Sequence, residues 1–173
     1  MKCPLAILAP DVIGCRAATF IRRHMQDLLP GGTAVVARAP DIESTASDWT
    51  ADVPVLDLAT IVGGRLRWQL AHAVAKQVGL KLDKLMVERF WKQHQVQVVM
   101  GEYLDFGLEW FDVARKSGIR FFGHAHGVDV WGRPRDPRWR SEYLRYNESA
   151  GVIAPSRSSR RSEERRVGKE CRL

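Results

Sequence analysis

Short apolar runs recur along the chain, each followed by a stretch with one apolar face at helical spacing, and this alternation restricts the fold more than any other feature. Leu5 to Ala9 reads as a buried strand closed by Pro10-Asp11. Residues 16–29 place Ala18, Ile21, Met25 and Leu28 on one side of a helix, which Pro30-Gly31-Gly32 stops. Thr33 to Ala37 is the next strand, and Val53 to Leu58 is a third after a polar loop over 39–53. Arg65 to Val78 predicts a helix ending near Gly79, with Leu66, Leu70 and Val74 inward; Asp83 to His94 predicts another, with Met86 and Phe90 inward. Val96 to Met100 is a continuous apolar run, as a strand covered on both faces requires. Residues 106–117 form a helix with Leu108, Phe111 and Ala114 inward, Asp105 as N-cap and Gly118 as terminator. Ile119 to Phe122 is a strand, residues 137–149 are helical, and Gly151 to Ala154 is the last strand. The pattern specifies an α/β protein: one Rossmann-like domain, a parallel sheet with helices on both faces.

The final segment breaks with this pattern. Residues 161–173 have no apolar periodicity and no caps, and Arg161 to Arg172 resembles the in-frame translation of a short-read sequencing adapter. The tail is therefore read as non-native and set aside, which leaves residues 1–160 as the domain. Removing it lowers the formal net charge from +7 to +5, since the tail holds five Lys/Arg and three Glu. A moderately basic domain suits an anionic substrate or membrane surface, and its charge without aromatic interleaving does not specify nucleic-acid binding. The three cysteines, at 3, 15 and 171, form no Cys-x-x-Cys pair, which argues against a disulfide framework or a zinc site and for a reducing compartment. No apolar run approaches the ~20 residues of a membrane span. The first residues also lack the apolar length of a signal peptide.

In a doubly wound sheet, ligands bind beyond the carboxyl ends of the strands. That rule selects three loops. The first, Pro10 to Cys15, offers only Gly14 and is not a Gly-x-Gly-x-x-Gly fingerprint. The second, Gly101 to Gly107, offers Glu102, Tyr103 and Asp105. Asp105 is accounted for as a helix cap, whereas Glu102 has no such structural duty. The third, Gly123 to Trp131, carries His124, His126, Gly127 and Asp129. Two residues apart in extended chain, His124 and His126 face the same side. Gly127 permits a sharp turn or close backbone approach, and Asp129 could fold back to orient one imidazole. Three readings stand for the histidine pair: a metal site, which lacks a convincing further ligand; a pair of core residues satisfied by backbone; or a cleft-facing pair that binds sugar or phosphate.

Val98 to Ser156 resembles the second half of the acceptor domain of the retaining GT-B glycosyltransferases of the group 1 or family 4 type. Gly101-Glu102-Tyr103, Lys116-Ser117-Gly118-Ile119-Arg120, His124-Ala125-His126-Gly127-Val128-Asp129 and Val152-Ile153-Ala154-Pro155-Ser156 carry the likeness, in the family's order. Before Val98 the agreement is one of broad pattern only. The glycine-rich loop after the first strand is reduced to Gly14, and no Glu-x7-Glu pair of a donor-binding half occurs in residues 1–160. The resemblance implies the N-terminal half of a GT-B fold, in an enzyme that transfers a sugar from a nucleotide-sugar donor to a lipid-linked or saccharide acceptor of a bacterial envelope, with retention. It implies His126 and Asp129 as catalytic residues, and Gly14, Glu102, Tyr103, His124 and Gly127 as substrate contacts. It requires no cofactor and no metal. Without a donor domain this chain is expected to be inactive. The implied setting is cytoplasmic, with peripheral contact at the inner membrane. The alternative is a stand-alone Rossmann-like module that binds nucleotide or phosphate without catalysis.

Overall fold

The computed structural model describes residues 1–10, 19–37, 52–58 and 81–154. Six parallel strands form one sheet: β1 Leu5–Ala9, β2 Thr33–Ala37, β3 Val55–Asp57, β4 Val98–Glu102, β5 Arg120–His124 and β6 Gly151–Ile153. Their order across the sheet is β3-β2-β1-β4-β5-β6, so the chain winds outward from β1 in one direction and then in the other. This is the strand order of a Rossmann-like domain, with the switch point between β1 and β4. The helices are α1 Thr19–Asp27, α2 Leu82–His94, α3 Leu104–Lys116, α4 Gly127–Trp131 and α5 Pro137–Tyr143. The helix expected over Arg65 to Val78, the loop over 39–51, Gly14, Pro155-Ser156 and the tail lie outside the described residues.

Alternation along the strands sorts the core into two layers. Ala6 and Leu8 of β1, Ala34 and Val36 of β2, Val99 of β4 and Phe121 of β5 pack on one face with residues of α2 and α3. Ile7 and Ala9, Val35 and Ala37, and Met100 pack on the other face against Ile21 and Met25 of α1. A parallel strand buried on both sides needs apolar residues at every position, which explains why β1, β2 and β4 read as continuous runs.

Several inward positions differ from the sequence reading. Leu28 is 51% exposed, because α1 ends at Asp27 before another turn can carry it over the sheet. On α2 the buried side chains are Val87, Phe90 and Trp91, with Met86 only half-buried. The inner face of α2 is thus set by the large Trp91, one position round from the expected stripe. Helix α3 begins at Leu104, so Asp105 is not its N-cap; Tyr103 is, and the Asp105 carboxylate accepts a hydrogen bond from the Phe106 amide at 2.8 Å. The segment over 137–149 is a short α-helix continued by a 3-10 turn over Leu144–Glu148. At the end of α3, Gly118 takes φ 68° while Ile119 N–H bonds Ala114 O and Gly118 N–H bonds Arg115 O, the double closure of a left-handed helix stop.

Close contact between β4 and α3 depends on two facing glycines. A Cβ on Gly101 would lie 2.9 Å from the Gly107 Cα and 3.1 Å from the Phe121 ring. Backbone cannot yield as a side-chain tip can, so Gly101→Ala is expected to cost roughly 1–3 kcal/mol in urea unfolding. Gly127→Ala is the matched control: a Cβ there meets nothing within 4 Å, and its φ is not positive. Equal losses for the two substitutions would refute this packing argument.

Candidate functional site

The carboxyl ends of β4 and β5 carry the cluster. The register pairs Glu102 with His124 side by side, and both share the parity of Met100, so both side chains lie on the α1 face of the sheet. Helix α1 presents Ile21 and Met25 to that face. His24 flanks Ile21 on the same side of the helix and reaches the same carboxylate. One residue beyond β5, Ala125 bonds Ile153 O through its amide, and the chain turns into α4 with His126 at its N-cap.

The result is one buried carboxylate held by three imidazoles. His24 Nδ1 lies 2.6 Å from Glu102 Oε1, His124 Nδ1 2.7 Å from Oε2, and His126 Nε2 2.9 Å from Oε2. Glu102 is completely buried and His124 is buried, whereas the His126 and His24 side chains remain 13% and 25% exposed. Burial by itself pushes the Glu102 carboxyl up; the hydrogen bonds from His124, His126 and His24 outweigh it and hold the group well below the usual carboxylate range. Aromatic contacts lock the rings. His126 meets Phe20 at 4.7 Å between centroids and Tyr103 at 4.1 Å. His24 and His124 meet edge-on at 5.0 Å and 73°.

Tyr103 takes φ 65° and ψ 130°, a conformation that costs a non-glycine residue about 1–3 kcal/mol. The turn places its ring over His126 and lets Tyr103 N–H bond His124 O at 3.1 Å. Asp129, fully buried, does not hold an imidazole ring. Its Oδ2 accepts the His126 backbone N–H at 2.9 Å, and the carboxylate also takes the Leu104 amide and, at 3.3 Å, the Tyr143 hydroxyl. Burial pushes the Asp129 carboxyl up against those amide bonds, and burial beside Asp129 pushes Tyr143 up in turn. Asp129 therefore fixes the backbone that carries His126, a step removed from the ring. Gly127 opens α4 without a positive φ, so the turn itself does not require glycine.

Of the residues singled out in the sequence, Glu102, Tyr103, His124 and His126 converge, Asp129 supports them from beneath, Gly127 borders them, and Gly14 lies outside the described residues. His24 and Phe20 were missed. The signal for His24 was there, since Ile21, His24 and Met25 stand at i, i+3 and i+4 on the inward stripe of α1. The ligand atoms that gather are not those of the histidine pair: His24, Glu102 and His124 offer ligand atoms all within 4.8 Å of one another, and His126 is not among them. Among the described residues no helix is long and apolar enough to cross a membrane.

No family model matches the chain, and no curated protein matches it. What fold and site define is a class: a Rossmann-like α/β domain with an imidazole–carboxylate cluster at the carboxyl edge of its sheet.

Proposed function

We propose that the chain is the acceptor-side half of a retaining GT-B glycosyltransferase, acting on a nucleotide-sugar donor and a lipid-linked or saccharide acceptor. One observation carries the reading. The residues of the Gly-Glu-Tyr and His-x-His-Gly-x-Asp motifs, more than twenty positions apart, meet on one carboxylate at the sheet edge where such folds bind ligands. In this reading Glu102 fixes the orientation of both imidazoles, Tyr103 and Phe20 hold the His126 ring, and Asp129 holds its backbone. A ring held so firmly needs no reorganisation when charge develops on a departing diphosphate, which is how preorganised groups lower a barrier. Strain at Tyr103 supports a functional assignment for this turn, since unfavourable backbone is retained where geometry serves a site.

A domain that supplies mainly acceptor contacts should hold donor weakly. Calorimetric titration of the chain with a panel of UDP- and GDP-sugars is expected to give no micromolar site. A micromolar nucleotide-sugar site on this chain alone would overturn the acceptor-side assignment and favour a stand-alone nucleotide-binding module.

A further inference from the structure

Three elements deliver nitrogen and oxygen ligands to one point. We propose that His24 Nδ1, His124 Nδ1 and a Glu102 carboxylate oxygen form a binding site for a zinc-type divalent transition metal ion. The proposal does not depend on the transferase reading, because it rests on donor chemistry alone.

Two imidazoles and one carboxylate, with a fourth position left for water or a substrate oxygen, are a donor set that zinc takes in open sites. Imidazole selects zinc, copper, nickel and their neighbours over magnesium and calcium, which prefer all-oxygen shells. The geometry is close to what is needed. Bonds of 2.0–2.1 Å in a tetrahedral shell separate ligand atoms by ~3.4 Å. Here His24 Nδ1 and His124 Nδ1 lie 2.6 and 2.7 Å from the Glu102 oxygens, and all three residues' ligand atoms fall within 4.8 Å of one another. Each of these two contacts to the carboxylate falls short of that separation by less than ~1 Å. The His24 and His124 rings meet at 73° rather than stacking, so they approach from different directions.

Charge and burial point the same way. Glu102 is completely enclosed, and a buried carboxylate needs positive charge or several donors to offset its lost hydration. As a purely hydrogen-bonded cluster, Oε2 must receive N–H from His124 and His126 together while His24 donates to Oε1. A dication satisfies the carboxylate through one bond and uses the two Nδ1 lone pairs. His126 then keeps its own bond to Glu102 and orients the ligating carboxylate, as groups outside a metal's own ligands commonly do. Because His24 comes from α1 and the others from β4 and β5, the ion would clip the helix to the sheet.

The test uses the whole chain, stripped of metal, with Cys15→Ser and Cys171→Ser to remove competing thiols. Zn2+ is titrated against a chromophoric chelator, and Co2+ absorption reports the coordination. The expected result is one Zn2+ per chain with Kd below ~1 µM, unaffected by excess Mg2+, and a tetrahedral-type Co2+ spectrum. His24→Ala and His124→Ala should each weaken Zn2+ by ~100-fold or more. His24 is a quarter exposed on a helix, so its alanine variant keeps the fold, which circular dichroism verifies. Absence of a site tighter than ~100 µM, or tight binding left undiminished by His24→Ala, overturns the proposal.

Discussion

Glu102→Ala is expected to cost about 3–5 kcal/mol, since three hydrogen bonds to one buried carboxylate are lost together. For a domain of this size that lowers the melting temperature by roughly 6–20 °C. The magnitude follows from what the carboxylate does. It accepts from three imidazoles on three separate elements while itself wholly buried, and truncation leaves those ring nitrogens facing a cavity. Glu102→Gln keeps the volume and should cost less, since its amide oxygen still accepts one ring N–H while its NH2 opposes another. Glu148 is the matched control. It pairs with Arg115 at 2.9 Å on the surface, with both side chains more than half exposed, so Glu148→Ala should change stability by under about 0.5 kcal/mol. The measurement is thermal unfolding in the presence of chelator, so that bound metal plays no part. A Glu102→Ala protein melting within 2 °C of the parent, by this estimate, would show that the cluster contributes nothing to holding α1 on the sheet.

Much of the architecture is legible because parallel strands buried on both faces announce themselves. Leu5 to Ala9 and Thr33 to Ala37 match β1 and β2 residue for residue, and among the described residues helices stand between β1 and β2, β3 and β4, β4 and β5, and β5 and β6. Helix faces were harder. A helix contact surface follows the bulkiest side chain, so Trp91 rather than Met86 defines the inner side of α2. Caps were harder still. Asp105 has the right chemistry for an N-cap, yet the helix starts earlier, because Tyr103 adopts a left-handed φ that nothing in its side chain advertises.

The site was half-legible for a related reason. Local spacing predicts that His124 and His126 share a side, and they do, because alternation is a property of a few consecutive residues. That Glu102 would stand beside His124 depends on strand register, which arises from the pairing of β4 with β5 across an intervening helix. Asp129 shows the limit most clearly. Three residues after an N-cap, an acidic side chain reaches back to the N-cap amide, which is the commoner use of that spacing and leaves the ring to Glu102. The sequence named residues that converge in space, and gave Asp129 the ring where the structure gives it the backbone amide.

His126→Ala carries the largest expected effect on activity. On the proposed transferase reading, with a donor-binding half supplied, the substitution should reduce turnover by ~10²-fold or more, the range for losing one preorganised electrostatic contact. The structure changes what should accompany that loss. A ring that simply faced a cleft would leave stability untouched, but His126 makes tilted ring contacts with Phe20 and Tyr103 and is bonded to Glu102, with 13% of its side chain exposed. Its removal should therefore also cost about 1–2 kcal/mol, from two tilted aromatic contacts and one hydrogen bond to the Glu102 carboxylate. The two effects separate when turnover is expressed per folded molecule, at a temperature well below the variant's midpoint. Asp129→Asn should behave differently, since it acts on the His126 amide and on Leu104: it weakens the backbone support and lowers turnover by less than His126→Ala does. His126→Ala that melts earlier yet keeps full turnover per folded molecule would make the ring a structural clasp for Phe20 and Tyr103 and remove it from the chemistry.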